Sequence, residues 1–396
     1  MNSIQRNSFW LLFARLTAQA LAILFTAIIA RKLGVDDFGQ FSFIASLLLV
    51  GNTFTNFGTD TFLVRETARA GQVTEIVVQS LALQLLLSFL YCAAMLFYRN
   101  TPLFIYSLAL FPLAIFSVNT ALLRALNHMD LFWLLSLLNG AIQILAAIFS
   151  VDVLSLCLFL LIGQFLLSTF SYLICRASLP AFGLFPLNDF RPIFKLILPF
   201  AALTILLVLI QRLGILSVSA FLGDSATGLF SSITRVVDGL KLGHYAILGA
   251  LLPALARGLS DSWKSFRKAF VLLMFVSLIF AVVLLVFARP IVLILYGNEF
   301  TQAATPLALL GWSLLPYTVS SFISYDLIAR GLEKVVVKSA LLSLVIYLVL
   351  YLWLIPANGL AGAVWAALIG EGLQALVFVY FYFRNISECR LQSASS

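Results

Sequence analysis

The segment 33–41 reads LGVDDFGQF, and the segment 222–230 reads LGDSATGLF. In both copies a Leu-Gly pair is followed, after four residues, by a second glycine, and Gly34 and Gly223 lie 189 positions apart. Each copy stands between two long apolar stretches. The pattern therefore predicts that the second half of the chain repeats the first. It also predicts that each copy forms a tight, glycine-bounded turn between two helices.

The composition places nearly the whole chain in a membrane. Hydrophobic residues make up 62% of the 396 residues and charged residues only 10%, whereas about 25% of a soluble domain is charged. The longest polar stretch, 176–195, is too short to fold alone. We therefore predict an all-α polytopic membrane protein that is not an enzyme. A duplicated membrane bundle of this kind is typical of transporters.

The net charge of +8 and the few thiols and imidazoles exclude other classes of function. Most cations lie in short loops between apolar stretches, so the charge reflects membrane topology and does not indicate a nucleic-acid partner. The chain has four scattered cysteines and two histidines, without metal-ligand spacing. We expect no metal and no cofactor.

Apolar stretches of about 20 residues predict twelve transmembrane helices. They cover approximately 9–30, 39–62, 76–97, 101–123, 131–150, 153–175, 194–221, 228–256, 269–296, 303–329, 336–355 and 360–383. Several contain a proline, such as Pro112 and Pro316, which predicts kinks.

The basic residues predict the orientation and the division of the chain. With twelve helices, one side of the membrane has sixteen Lys and Arg residues and the other has four, namely Arg31, Lys32, Arg99 and Arg289. The positive-inside rule then places both termini in the cytoplasm. We expect a six-helix lobe at 1–180, a cytoplasmic linker at 181–193 and a second six-helix lobe at 194–396. An even number of helices per lobe makes the repeats parallel.

Four short motifs, in order along the chain, resemble the polysaccharide-biosynthesis flippases, the O-antigen repeat-unit transporters of the multidrug/oligosaccharidyl-lipid/polysaccharide exporter superfamily. The segment 30–41 resembles their first external loop. Asn56-Phe57-Gly58 resembles the end of their second helix. The segments 296–300 and 355–363 resemble their motif after helix nine and their turn into helix twelve.

The resemblance implies a fold like that of the multidrug and toxin exporters (MATE), with two six-helix lobes around a central cavity. It implies transport of an undecaprenyl-pyrophosphate-linked oligosaccharide from the cytoplasmic to the periplasmic leaflet of a bacterial inner membrane, for O-antigen, capsule or exopolysaccharide. A polysaccharide polymerase or chain-length complex is a possible partner besides the lipid bilayer.

Ionisable residues within predicted helices are the candidate site, because each one needs a partner or water in the bilayer. Four cations suit a lipid-linked pyrophosphate, and we expect them to bind substrate: Arg15, Arg212, Arg235 and Lys241. Three carboxylates are candidates for ion pairing or coupling: Asp238, Asp326 and Glu371. A buried carboxylate could exchange protons during a transport cycle.

Structural roles remain open for the same residues. Arg235, Asp238 and Lys241 are spaced by three, so they could form an ion-pair ladder along one face of a helix. Arg15 could extend to the inner interface, and Asp326 could be an interface residue. Glu371 could hydrogen-bond to a neighbouring helix.

Two other functions compete with the flippase. A cation-coupled antiporter for drugs or small solutes would need an acidic cavity, which Glu371 and Asp326 could supply. A membrane glycosyltransferase could use Asp36-Asp37, but a loop of about eight residues between glycines favours a simple turn.

Overall fold

The computed structural model describes residues 3–70, 73–176, 191–256 and 262–394. Within these ranges, side chains are described for residues 10, 13–14, 16–64, 66–67, 76–176, 198, 201–244, 247–249, 251, 255 and 264–385. All regular elements in these ranges are helices, so the predicted all-α fold class is confirmed. Of the predicted linker, residues 181–190 lie outside the described residues, and a helix begins at Arg191.

The chain divides into two compact units, Met1–Val208 and Leu209–Ser396. The first unit, here the N-terminal unit, contains seven complete helices among the described residues. They are α1 (Ser3–Asn56), α2 (Thr59–Ala70), α3 (Val73–Leu96), α4 (Thr101–Ser107), α5 (Leu110–Ala125), α6 (Met129–Phe149) and α7 (Val153–Cys175).

The division between the units falls within α8 (Arg191–Ala256). The C-terminal unit continues with α9 (Ser262–Leu295), α10 (Ala304–Leu310), α11 (Leu314–Ala329) and α12 (Glu333–Ala394). Two short 3-10 helices, Asn298–Ala303 and Gly311–Ser313, flank α10.

The two copies of the glycine motif have the same backbone geometry. Gly34 in α1 has φ 79° and ψ −178°, and Gly223 in α8 has φ 78° and ψ −168°. Such a combination is almost restricted to glycine, because a Cβ would meet the flanking carbonyl groups. The predicted turn at 34–39 was too long: two helices meet at Gly34, which alone has non-helical φ and ψ, and residues 35–41 are already helical.

A second set of equivalent segments consists of α4 and α10, which lie 203 positions apart, and α5 and α11, which lie 204 positions apart. The helices α5 and α11 are both 16 residues long, and α4 and α10 are both seven. Pro112 and Pro316 explain the break before α5 and α11, because proline cannot bond to the carbonyl four residues earlier and its ring clashes with it. Those carbonyls belong to Leu108, between α4 and α5, and to Trp312, in the second 3-10 helix.

The ends of α5 and α11 are also equivalent. Asn127 (φ 62°) and Gly331 (φ 74°) are left-handed. In each turn the amide of the following residue donates to the carbonyl five positions earlier: His128 N donates to Leu123 O and Leu332 N donates to Leu327 O, both at 2.9 Å. This is the Schellman termination of a helix, which satisfies carbonyls that would otherwise be left open.

Nine helices among the described residues are long and apolar enough to cross a membrane. Three of them span 41, 49 and 53 residues and contain the kinks at Gly34, Gly223 and Gly359. Because a single crossing needs about 20 residues, each of these three is long enough for two crossings. Large apolar side chains such as Phe275 and Trp353 point outward, as expected for contact with lipid. The count of twelve stays a prediction.

We expect Gly223→Ala to lower the free energy of unfolding by about 1–3 kcal/mol, because alanine is strained at this φ and ψ. Beyond its own local backbone, a Cβ at Gly223 would meet no atom within 4 Å, so the whole effect comes from the backbone conformation. Thermal and denaturant unfolding in detergent micelles would measure it.

Gly243→Ala is the matched control, since Gly243 lies in the same helix, without positive φ, and a Cβ there also meets nothing. It should be neutral or slightly stabilising. Equal losses of stability in the two variants would contradict the strained role of Gly223.

Candidate functional site

Six of the seven predicted site residues lie in the C-terminal unit. The exception, Arg15, belongs to α1, and its side chain lies outside the described residues. The other six are Arg212, Arg235, Asp238, Lys241, Asp326 and Glu371.

Lys241 of α8 and Glu371 of α12 form a tight ion pair across 130 positions of sequence. The Lys241 Nζ donates to Glu371 Oε1 at 2.6 Å, and both side chains are largely buried, with 16% and 12% exposed. A charge-assisted bond of this length is strong, although removing both charges from water offsets much of the gain. The structure thus brings together one predicted substrate cation and one predicted coupling carboxylate.

Two further groups surround the Lys241 ammonium. It lies 4.6 Å from the centre of the Tyr317 ring, within range of a cation–π interaction, and 4.0 Å from Asp238 Oδ1. We call Glu371, Asp238 and Tyr317 the ammonium cage. The ladder within one helix is therefore not the main arrangement, since the shortest partner of Lys241 belongs to α12.

Arg235 lies one and a half turns before Lys241 in α8, beside another tyrosine. Burial raises the pKa of the Tyr296 hydroxyl, and the positive charge of Arg235 opposes part of that rise; the hydroxyl donates to Ser232 O at 3.0 Å. Tyr296 belongs to the 296–300 motif, so that motif packs against the same stretch of α8.

Arg212 differs from the other cations of the site. It is partly buried in α8, and among the described residues it makes no ion pair and no hydrogen bond; its Nε is fully buried. Two residues later, a Cβ at Gly214 would approach the Tyr351 hydroxyl to 2.6 Å, so α8 and α12 are in close contact there. A buried guanidinium without a protein anion is suited to an anion from outside.

Asp326 does not join this group. It is buried in α11, with 1% exposed, and accepts a hydrogen bond at 2.8 Å from Arg330 Nε, one turn later in the same helix. Among the described residues, no ion pair or hydrogen bond connects it with Glu371. The two predicted coupling carboxylates therefore have separate partners.

The sequence reading missed His244, which is buried in α8 three residues after Lys241. Its Nε2 lies 3.1 Å from Ser277 Oγ of α9 and 2.8 Å from Thr318 Oγ1 of α11. The ring also meets Tyr317 edge-on, at 5.4 Å between centroids. A histidine within an apolar helix was itself a signal, because it needs polar partners in the bilayer.

The N-terminal unit has a polar network of its own, at the break between α1 and α2. Arg124 pairs with Asp60 at 3.0 Å, and Ser117 Oγ donates to Asp60 at 2.5 Å. Asn56 Nδ2 donates to Ser117 Oγ at 2.8 Å. Gln84 Nε2 donates to the Thr59 hydroxyl at 2.6 Å. From the sequence, Arg124 was assigned to a loop, and its pairing with Asp60 was not foreseen.

Comparison with known proteins identifies the family. The model for polysaccharide biosynthesis proteins matches residues 4–259. The chain belongs to the polysaccharide biosynthesis protein family. A second model, for the lipid II flippase MurJ, matches residues 240–393. The capsular polysaccharide biosynthesis protein CapF of Staphylococcus aureus is 26% identical over 200 residues, 49% of this chain and 50% of CapF. The match spans about half the length of this curated relative.

Solved structures share the fold of this polysaccharide biosynthesis protein. The inward closed form of the lipid II flippase MurJ gives a TM-score of 0.77 at 16% identity, with 93% of this chain and 87% of MurJ covered. An inward-facing MATE multidrug transporter gives 0.76 at 15% identity, with 95% and 96% covered. A transporter of the same superfamily from Pyrococcus furiosus gives 0.70 at 16% identity, with 97% and 95% covered.

These findings confirm the predicted resemblance to the polysaccharide flippases of the superfamily and the multi-pass membrane fold. At such low identity the structures show the fold alone.

We expect His244→Leu to lower the free energy of unfolding by about 1–3 kcal/mol, because it leaves two buried hydroxyls without their imidazole partner. Ser277 and Thr318 lie 2.8 Å apart and can still bond to each other, which favours the lower end of that range. Denaturant unfolding in micelles would measure the change.

The matched variant adds Ser277→Ala and Thr318→Val to His244→Leu. It should recover most of the loss, because no orphan polar group remains. A triple variant that is less stable than His244→Leu by the sum of the single losses would contradict this network.

Proposed function

We propose that this polysaccharide biosynthesis protein is a flippase for an undecaprenyl-pyrophosphate-linked oligosaccharide, moving it from the cytoplasmic to the periplasmic leaflet. The observation that carries the proposal is Arg212, a partly buried cation with no protein anion among the described residues. A pyrophosphate supplies the missing charge, and its oxygens match the planar fork of a guanidinium.

The chemistry of α8 supports the same substrate class. Arg212, Arg235 and Lys241 all belong to this one helix, and the ammonium of Lys241 is already arranged for an anionic oxygen. A lipid-linked head group is polyanionic and must cross about 30 Å of hydrocarbon, while its lipid tail can stay in the bilayer. Fixed cations lower the electrostatic barrier for such a head group.

The relatives support the class by what their names state. MurJ is described as a lipid II flippase and CapF as a capsular polysaccharide biosynthesis protein. We infer a lipid-linked sugar as the cargo of this chain and a surface polysaccharide as the product. A polysaccharide polymerase or chain-length complex would then act on the delivered unit and is the expected partner.

Alternating access is the mechanism that we propose. The lobes 1–180 and 194–396, joined by 181–193, would move against each other and expose the cations first to one leaflet and then to the other. The glycine kinks at Gly34 and Gly223 would allow the long helices to bend during that movement.

A drug antiporter on the same scaffold is the second candidate, and the likeness to MATE transporters supports it. Such a transporter binds cations and would need free carboxylates. Glu371 and Asp326 are instead paired with Lys241 and Arg330. The pairing favours the flippase.

We expect Arg212→Gln to reduce export of the lipid-linked unit by about tenfold or more, since a charge-assisted bond to phosphate contributes about 1.5–3 kcal/mol. Surface polysaccharide in a strain that depends on this chain would measure export, and immunoblotting would check the protein level.

Arg289→Gln removes the same charge at an exposed position of α9 and should leave export unchanged. Unchanged export with Arg212, Arg235 and Lys241 all replaced by Gln would rule out the cationic site. Loss of the protein from the membrane would point to a structural role.

The proposed orientation places both termini and the 257–268 segment in the cytoplasm of a bacterial inner membrane. Alkaline phosphatase fused after Ser396 or within 257–268 should therefore be inactive, because the enzyme matures only in the periplasm. A fusion within the predicted external segment 356–359 should be active. The reverse pattern would overturn the orientation.

A further inference from the structure

We propose that Glu371 is a resident competitor for the substrate: its carboxylate holds Lys241 in the empty protein, and the pyrophosphate head group takes Lys241 over from it. This inference rests on the proposed flippase function and adds a residue that sets how tightly the head group is held and how readily it leaves.

The cage presents the features of an anion site that is already occupied. The Lys241 ammonium meets a carboxylate oxygen at 2.6 Å on one side and the Tyr317 ring at 4.6 Å on another. An ammonium has only three donors, and its shortest bond is spent on Glu371. A phosphate oxygen that takes over this shortest bond displaces the Glu371 carboxylate from Lys241.

Neighbouring groups hold the cage in place, so it is a built arrangement. The edge of Tyr317 meets His244, which is fixed by the hydroxyls of Ser277 and Thr318. On α12, a Cβ at Gly370 would overlap the ring of Tyr347. Tyr347 belongs to the part of α12 before the kink at Gly359, so the glycine lets the two parts of this helix pack closely, and the backbone of Glu371 is fixed beside that ring.

The second oxygen of Glu371 shows why the pair can be opened. Glu371 is buried, and its Oε2 has no hydrogen-bond partner within the described part of the chain. The carboxylate is thus stabilised mainly by one bond to Lys241, with Asp238 adding a second negative charge close by. A buried pair of this kind gains little net free energy, since desolvation offsets the attraction. A head group with two or more negative charges can compete with it.

The exchange has a direct consequence for transport. While the head group is bound, Glu371 Oε1 loses its bond to Lys241, so both oxygens of the carboxylate lack a partner. The carboxylate therefore attracts Lys241 back as soon as the head group loosens. Glu371 therefore weakens binding and speeds release. A flippase needs both, because a head group held too tightly would not leave in the second leaflet.

Binding of farnesyl pyrophosphate to the purified full-length protein in detergent tests the exchange, with farnesol measured in parallel to subtract binding of the tail. Glu371→Gln keeps the shape and removes the charge. We expect it to tighten farnesyl pyrophosphate binding by about tenfold and to slow dissociation by a similar factor. Lys241→Gln should weaken binding, and the double variant should bind like Lys241→Gln, because no cation remains to be released.

Asp326→Asn is the matched control, a second buried carboxylate of the same unit with its own partner, Arg330. It should leave the affinity unchanged. A second pair of variants probes the cage without touching a charge: Tyr317→Leu should tighten binding a few-fold by loosening Lys241, while Tyr317→Phe keeps the ring and should have no effect.

The outcomes separate this inference from the flippase itself. If the unmodified protein binds farnesyl pyrophosphate above farnesol but neither Glu371→Gln nor Tyr317→Leu tightens it, the exchange is wrong and the flippase stands. Equal tightening by Asp326→Asn would also overturn it, as a general charge effect. If no variant binds the pyrophosphate above farnesol, the cationic site and the exchange both fail.

Discussion

A bilayer contains no water for a backbone amide or carbonyl, so every such group in the hydrocarbon must bond within the protein. This constraint accounts for the long helices of the chain. At Gly34 and Gly223 the backbone bends through a conformation that only glycine holds, and the helix resumes at the next residue. At Pro112 and Pro316 the missing bond is absorbed by a short break between two helices. At these four positions a kink or a short break therefore connects two helical segments where a soluble protein could use a longer loop.

The same constraint shapes the side chains within the helices. Polar groups that cannot reach water bond to one another, and several of these bonds join helices that are distant in sequence. Lys241 connects α8 to α12, and His244 connects α8 to α9 and α11. In the N-terminal unit, Asp60 and Arg124 connect α2 to α5. Against this background Arg212 stands out as a partly buried cation without an ion pair or hydrogen bond among the described residues, and the proposed function gives a reason for it.

The class of protein and the repeat could be predicted from the sequence because both are written in local patterns: apolar length, and a glycine spacing at 33–41 and 222–230. The shortness of the break at Gly34 could not be predicted, since a short polar segment has the same sequence pattern whether the turn takes one residue or six. The ion pair between Lys241 and Glu371 could not be predicted from the sequence either. Both residues were candidates, but 130 intervening positions leave the pairing to tertiary packing. His244 was overlooked because a lone histidine carries no spacing signal.

The matched helix lengths in the two units show where the units differ. The pairs α4 with α10 and α5 with α11 share lengths of seven and sixteen residues. Eight residues, 296–303, separate α9 from α10, whereas four, 97–100, separate α3 from α4, and six of the eight form the 3-10 helix Asn298–Ala303. The C-terminal unit is thus longer at a turn with positive φ, at Gly297, although the two helices that follow have the same lengths as their N-terminal counterparts. The corresponding turn in the N-terminal unit, at Arg99 and Asn100, is therefore the position at which we expect this fold to tolerate an inserted peptide.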